Sequence, residues 1–181
     1  MRPTPPLKYL TGYPPTLIEE VQRLLAEGRL GELLLRKYPE RHGVRTDKAL
    51  YDYVHELKGD YLRNAGPLSK VAFDSKLHII NNALGTHTSI TRVQGDKLKA
   101  KREIRVSTLF KEMPGEFLRM IVVHELAHTK ERAHDKAFYQ LCQHMEADYF
   151  QLEFDLRAYL CHLEAGGRPL WTFAGDDASA P

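Results

Sequence analysis

Two histidines and a glutamate in the segment His-Glu-Leu-Ala-His are the side chains of this chain best suited to catalysis. His124 and His128 are four residues apart, so on a helix they project from one face, about one turn from each other. That spacing lets two imidazole nitrogens reach one metal ion at roughly 2.0–2.1 Å. Glu125 follows the first histidine, which places a carboxylate beside the metal as a candidate general base. The segment therefore predicts a site for metal-dependent hydrolysis.

His134, six residues after His128, is the predicted third metal ligand. Three nitrogen ligands leave the fourth position of a zinc ion open, which is typical of catalytic rather than structural zinc sites. The expected cofactor is therefore Zn²⁺. The alternatives for the third ligand are His144, near the end of a later helix, and the acidic residues Glu146 and Glu153.

The residues before and within the motif predict a buried helix. Pro114 and Gly115 form a helix-breaking pair. Apolar residues then recur at helical spacing: Phe117, Leu118, Ile121, Val122 and Leu126. This pattern places the motif in the middle of the helix, mostly buried, where an unpaired histidine or glutamate costs free energy. A surface helix with incidental histidines is the disfavoured alternative.

The rest of the chain predicts helices on both sides of a small sheet. Apolar residues at helical spacing predict helices in 16–38, interrupted by glycines, and in 47–64. Alternation of side-chain types then predicts three strands: 77–80, 86–93 and 98–106. A turn signal at 94–96 joins the last two strands into an antiparallel pair. Two further helices are expected to begin at Asp135 and at about Tyr149.

The stretch from about Arg105 to Leu160 resembles the YgjP-like metallopeptidase family, a group of small zincins related to SprT-like proteases. The resemblance rests on the apolar turn 120–123, the motif itself, and the Asp-Lys-Ala-Phe-Tyr that follows the third histidine, where Tyr139 stands in place of the family's usual tryptophan. It implies a bound zinc ion with Glu125 as general base. The ligands that it implies are His124, His128 and His134.

From this resemblance and the element order we expect an α+β, zincin-like fold. A small antiparallel sheet would pack on the HExxH active-site helix, with additional helices at the N and C termini. We expect a flexible proline-rich arm at 1–15, a helical N-terminal extension at 16–70, a zincin-like metallopeptidase domain at 71–165 and a polar tail at 166–181.

The expected reaction is hydrolysis of a peptide bond in a peptide or protein substrate. Zinc lowers the pKa of a bound water to roughly 7, and Glu125 takes a proton from that water and passes it to the leaving amine. An extended substrate would pair with a sheet edge, for which 86–93 is the candidate. Tyr139 and Tyr149 are near the motif in sequence, and packing is the favoured role for each.

Two other functions are open on the sequence alone. A basic stripe on the returning strand could contact nucleic-acid phosphates, which would suit a protease acting on proteins bound to DNA. Its members are Lys97, Lys99, Lys101, Arg102 and Arg105. A solvated sheet face is the favoured interpretation of that stripe. The third interpretation is a zinc-binding module with no catalytic activity. The presence of Glu125 argues against it, because a structural zinc site needs no general base.

Composition excludes several classes of protein. Lysines and arginines number 26 against 24 acidic residues, a formal net charge of +2, so no overall field favours nucleic acid. No apolar run reaches the length of a membrane-spanning helix, and the proline-rich N terminus lacks the apolar core of a signal peptide. Cys142 and Cys161 lie in apolar helical patterns and predict buried thiols. We therefore expect a cytoplasmic protein, and the sequence predicts no oligomeric state.

Overall fold

A computed structural model describes residues 7–77, 85–94 and 97–172, with the backbone alone at 85–94 and 97–101. Helices and one small sheet make up these residues, so the predicted α+β class is confirmed. Residues 1–6 of the predicted arm and 173–181 of the predicted tail lie outside the described residues. Within that part of the chain, no helix has both the length and the apolar character needed to cross a membrane.

The elements follow the order predicted from sequence periodicity, helices first, then strands, then helices. The helices are α1 Pro15–Ala26, α2 Leu30–Lys37, α3 Asp47–Tyr61, α4 Gly115–Ala127, α5 Lys136–Met145 and α6 Tyr149–Glu164. The strands are β1 Lys70–Asp74, β2 Gly85–Gln94 and β3 Lys97–Ser107. Short 3-10 helices occupy Lys8–Leu10 and Thr108–Glu112.

The sheet has the strand order β1-β3-β2 and mixed pairing. β2 and β3 are antiparallel, with Gly85 opposite Val106, whereas β1 runs parallel to β3, with Lys70 opposite Glu103. The prediction of a wholly antiparallel sheet is therefore wrong. Turn residues signal a hairpin locally, but a parallel neighbour pairs across a long stretch of chain and leaves no local signal. Of the strand predicted at 77–80, Leu77 lies outside any strand and 78–80 lie outside the described residues. Strand β1 at Lys70–Asp74 was not predicted.

The chain forms two compact units, each assembled from separated stretches. The first comprises 1–42, 112–117 and 150–181, and the second comprises 43–111 and 118–149. The domain boundaries expected from the sequence stay a prediction.

An aromatic cluster organises the first unit. Tyr38 packs against Phe117 with ring centroids 4.9 Å apart, and Tyr159 packs against Trp171 at 4.8 Å. The indole N–H of Trp171 donates to the carbonyl oxygen of Tyr38 at 2.6 Å, which satisfies its polar atom inside the core. Leu10, in the predicted arm, is fully buried.

In the second unit, α3 packs on β1. Leu50, Val54 and Leu57 are buried at helical spacing on α3. The backbone N–H of Phe73 in β1 donates to the Asp47 carboxylate at the start of α3, at 2.9 Å, so helix and strand are also joined by a polar contact. Ile104 in β3 is fully buried.

Every residue of α4 from Met120 to Ala127 is buried, as expected for a helix that is apolar on all sides. The helix ends at Ala127, so the motif lies at its C-terminal end and the expected mid-helix position is wrong. Beyond it, the hydroxyl group of Thr129 donates to the Leu126 carbonyl at 2.6 Å and Lys130 N–H donates to the Ala127 carbonyl at 3.1 Å. These bonds close a turn that redirects the chain.

Candidate metal centre

Three imidazole rings converge at the end of α4. The Nε2 atom of His124 lies 3.3 Å from that of His128 and 3.3 Å from that of His134, and the last two atoms are 3.0 Å apart. Three nitrogens bound to one tetrahedral zinc ion at about 2.05 Å lie roughly 3.3 Å from one another. The triangle therefore has the size that a zinc ion requires. No other group of three or more His, Cys, Asp or Glu side chains converges in this way among the described residues.

Hydrogen bonds at the opposite ring nitrogens orient two of the three histidines. Nδ1 of His124 lies 2.6 Å from the buried hydroxyl group of Tyr149, and Nδ1 of His128 lies 3.0 Å from the backbone carbonyl of Glu131. A carbonyl oxygen only accepts, so Nδ1 of His128 carries the proton and Nε2 presents a lone pair. Such outer partners fix the tautomer of metal-binding histidines. The donor set therefore fits a zinc ion.

Glu125 is fully buried beside the first ligand, and neither of its carboxylate oxygens has a hydrogen-bond partner among the described residues. Burial raises the pKa of this carboxyl to about 8, because removal from water disfavours the charged form. A buried carboxyl without partners is costly for folding. Its retention next to three converging imidazoles is typical of a catalytic group.

Phe138 on α5 packs against all three imidazole rings. Its ring centroid is 5.0 Å from His124, 4.5 Å from His128 and 4.9 Å from His134. The Asp135 carboxylate accepts the backbone N–H of Phe138 at 3.0 Å and caps α5. His124 is buried, His128 half-buried and His134 exposed, so the cluster is accessible to solvent from the side of His134.

The electrostatics of this end of α4 favour a cation. Burial lowers the pKa of His128, which keeps the ring neutral and able to bind a metal at neutral pH. The C-terminal carbonyl groups of a helix also carry partial negative charge. The neutral imidazole and the partial negative charge of the helix end both favour binding of a cation.

The alternative third ligands are engaged elsewhere. His144 packs edge-on against Tyr61 at 5.6 Å between centroids. Glu146 forms an ion pair with Arg119 at 2.7 Å. Glu153 pairs with Arg157 at 3.0 Å. His134 is the candidate that joins His124 and His128.

Tyr149 was expected to pack, and its hydroxyl group proves to be a partner of His124. The available signal was weak: Tyr149 begins an apolar helix, where a buried hydroxyl group needs a polar partner. Tyr139 lies with its ring centroid 6.4 Å from that of His134 and 6.3 Å from that of Tyr149, so it lies beside the cluster.

The predicted substrate strand and most of the basic stripe have no described side chains. This applies to 86–93 and to Lys97, Lys99 and Lys101. The two described members of the stripe make structural contacts. Arg102 donates to the backbone carbonyl of Thr129 at 3.2 Å, and Arg105 pairs with Asp74 at 3.0 Å.

Comparison with known proteins gives two matches. A sequence profile described as "YgjP-like, metallopeptidase domain" matches residues 72–159, which include the whole histidine cluster. A protein of Escherichia coli (strain K12) named "UTP pyrophosphatase" is 58% identical over 160 residues, which span 88% of this chain and 96% of that protein. No solved structure matches.

Proposed function

This chain belongs to the YgjP-like metallopeptidase family, and from that premise we propose that it is a zinc-dependent hydrolase. His124, His128 and His134 would hold the ion through their Nε2 atoms. The observation that carries the proposal is the convergence of these three nitrogens beside the buried carboxyl of Glu125. When bound, a zinc ion supplies Lewis acidity and makes water a stronger acid at neutral pH.

The residues of the chain perform the remaining tasks. Glu125 takes a proton from the attacking water and transfers it to the leaving group. Tyr149 and the Glu131 carbonyl hold two imidazoles in place, so that the ligand geometry exists before substrate arrives. Phe138 excludes water from the inner side of the cluster.

We propose UTP as the substrate. The attacking water oxygen forms a bond to the α-phosphorus, the bond from that phosphorus to the oxygen bridging to the β-phosphate breaks, and the products are UMP and pyrophosphate. One water proton passes through Glu125 to the medium or to the pyrophosphate. The support is the high identity, over nearly the full length of both chains, to a protein named for action on UTP.

Peptide hydrolysis is the second candidate, favoured by the description of the matching family. The same carboxyl and cluster would serve, since both reactions need a deprotonated water and stabilisation of negative charge on oxygen. The proton from Glu125 would then pass to the leaving amine. Site chemistry alone therefore does not separate a phosphoric anhydride from a peptide bond.

One comparison tests both candidates. Zinc-loaded wild type and Glu125→Gln are assayed for pyrophosphate release from UTP and for cleavage of a peptide library. We expect wild type to release UMP and pyrophosphate in equal amounts. Glu125→Gln should retain about one zinc per chain and lower kcat by about 10²- to 10⁴-fold, as for loss of a general base.

Other outcomes have definite meanings. Glu125-dependent cleavage of peptides without action on UTP would establish the second candidate. Equal activity of wild type and Glu125→Gln would refute the role of Glu125, and no turnover of either substrate class would favour the non-catalytic module. His134→Ala should lose zinc, whereas His144→Ala, outside the cluster, should keep it.

Nucleic-acid binding through Lys97, Lys99 and Lys101 stays a prediction. Binding of DNA that persists at moderate salt and falls when the three lysines are replaced would support it.

A further inference from the structure

We propose that the loop between His128 and α5 binds the polyphosphate of the substrate through three cations, Lys130, Arg132 and Lys136. This inference rests on the proposed action on UTP, and it adds the groups that would recognise the triphosphate. Each cation is two residues from a histidine of the cluster: Lys130 follows His128, Arg132 precedes His134 and Lys136 follows His134.

The three side chains have no protein partner within the described part of the chain. All three are exposed, and none makes an ion pair or a side-chain hydrogen bond there. Several cations elsewhere are engaged with carboxylates, among them Arg41 with Glu112 and Arg119 with Glu146. The loop cations are therefore available to an external anion.

The backbone that carries these cations is held at three points. Arg102 donates to the Thr129 carbonyl at 3.2 Å, His128 Nδ1 donates to the Glu131 carbonyl at 3.0 Å, and Phe138 N–H donates to Asp135 at 3.0 Å. Because the main chain is already fixed, binding of an anion would restrict only the three side chains. The loss of conformational entropy on binding is therefore smaller than for a flexible loop.

The charge of the loop has the sign that complements a polyphosphate. Residues 129–136 contain three cations and two acids, Glu131 and Asp135, so their formal sum is +3 − 2 = +1. The Asp135 carboxylate is already used by the α5 N-cap. The triphosphate of UTP carries roughly four negative charges at neutral pH. A peptide substrate has no such charge to neutralise, so the loop favours UTP over a peptide.

The position of Lys136 supports a functional role. It is the first residue of α5, where the positive end of the helix dipole disfavours a cation. Replacing it with alanine therefore removes no favourable contact. The triple replacement of Lys130, Arg132 and Lys136 by alanine should fold normally.

The test measures binding without turnover. Zinc-loaded Glu125→Gln and the same protein carrying Lys130→Ala, Arg132→Ala and Lys136→Ala are titrated calorimetrically with UTP, UMP and inorganic tripolyphosphate. We expect the triple replacement to weaken UTP and tripolyphosphate binding by about tenfold or more, and UMP binding by about threefold or less. In the otherwise wild-type protein it should raise KM for UTP by about tenfold.

A charge-matched control replaces Arg36, Lys70 and Lys76, three exposed cations outside the loop, and should bind tripolyphosphate like the parent. Zinc content and thermal melting are compared in all variants. The inference is overturned if the loop variant binds tripolyphosphate as tightly as its parent, if the control loses as much affinity, or if the parent binds no polyphosphate. Absence of UTP hydrolysis by wild type, with loop-dependent tripolyphosphate binding intact, would instead overturn the proposed function alone.

Discussion

The hydroxyl group of Tyr149 and the Nδ1 atom of His124 are both buried and lie 2.6 Å apart. Phe138 packs against the His124 ring, with centroids 5.0 Å apart. The hydrogen bond to Tyr149 helps to hold the His124 ring with Nε2 directed toward the Nε2 atoms of His128 and His134. At the scale of single residues, the proposed metal centre includes a hydrogen-bond partner that would not itself bind the metal.

Tyr149→Phe should weaken zinc binding by about 10- to 100-fold, the usual effect of losing an outer partner of a metal-binding histidine. The ring and its packing are retained, so the fold should persist. The measurement is a competition titration with a chromogenic zinc chelator. Tyr159→Phe, which also removes a buried hydroxyl group on α6, is the control and should leave zinc affinity unchanged. Equal affinities in the two variants would contradict the positioning role of Tyr149.

The convergence of the three histidines was predictable from sequence, and the contact with Tyr149 was not. His124 and His128 share a helical face by local periodicity, and His134 was inferred from the open coordination of catalytic zinc. Tyr149, which contacts His124, lies 25 residues further along the chain. A contact of that kind depends on tertiary structure, which no spacing rule describes.

At the scale of elements, the start of α5 positions His134, the exposed histidine of the cluster. Asp135 immediately follows His134 and accepts the Phe138 N–H, and Phe138 packs against the three imidazoles. A single capping bond therefore affects both the helix and the third ligand.

Asp135→Ala should lower the free energy of unfolding by about 1 kcal/mol, the usual cost of losing an N-cap, and should also weaken zinc binding. Thr46→Ala is the matched control, because Thr46 caps α3 through the Ala49 N–H at 3.1 Å. It should cost similar stability and leave zinc affinity unchanged. Chemical denaturation and zinc competition measure the two quantities. Unchanged zinc affinity in Asp135→Ala would show that the cap does not position His134.

Helices were predicted more successfully than the sheet, for a physical reason. The 3.6-residue period is local, so α5 and α6 begin where their patterns predicted. The parallel pairing of β1 with β3 joins residues more than thirty positions apart, such as Lys70 and Glu103, and leaves no pattern in either strand. The end of α4 was missed because residues 129–133, Thr-Lys-Glu-Arg-Ala, contain no glycine or proline that would signal it. The bonds of the following turn end the helix instead.

At the scale of the whole molecule, each compact unit encloses one cysteine. Cys142 is buried in the second unit and Cys161 in the first. Burial raises the pKa of the Cys161 thiol to about 11, so almost no thiolate exists at neutral pH. Since the thiolate is the reactive form, both burial and pKa protect this side chain.

Native protein at pH 8 should therefore react slowly with Ellman's reagent. Denatured protein should react rapidly, with an absorbance change that corresponds to two thiols per chain. Each of the variants Cys142→Ser and Cys161→Ser retains one thiol. The rate at which that thiol reacts measures how often the compact unit around it opens to solvent. Rapid labelling of the native Cys142→Ser variant, whose one thiol is Cys161, would contradict the burial of that residue. Bound zinc should slow labelling at Cys142, since the metal ligands belong to the same unit.

The sequence predicts a metal site and an activated water, and it does not predict the substrate. In the proposed mechanism HELAH and His134 supply the activation of a water nucleophile, which hydrolysis of a peptide and of a phosphoric anhydride share. The atom that is attacked depends on groups that bind the rest of the substrate. The candidate groups, Lys130, Arg132 and Lys136, are ordinary surface cations in sequence. Their lack of protein partners, and the hydrogen bonds that hold the main chain of their loop, are evident only in the folded protein.

The early end of α4 has a consequence for protein engineering. His124 and Glu125 belong to a rigid buried helix, while residues 129–135 form a separate connector fixed at its two ends by Arg102 and by the α5 cap. The exposed side chains of the connector at Lys130, Arg132 and Ala133 can be exchanged without removing His134 or the Glu131 carbonyl. Variants at these positions would thus form a combinatorial library in which one scaffold is screened against many anionic or neutral substrates.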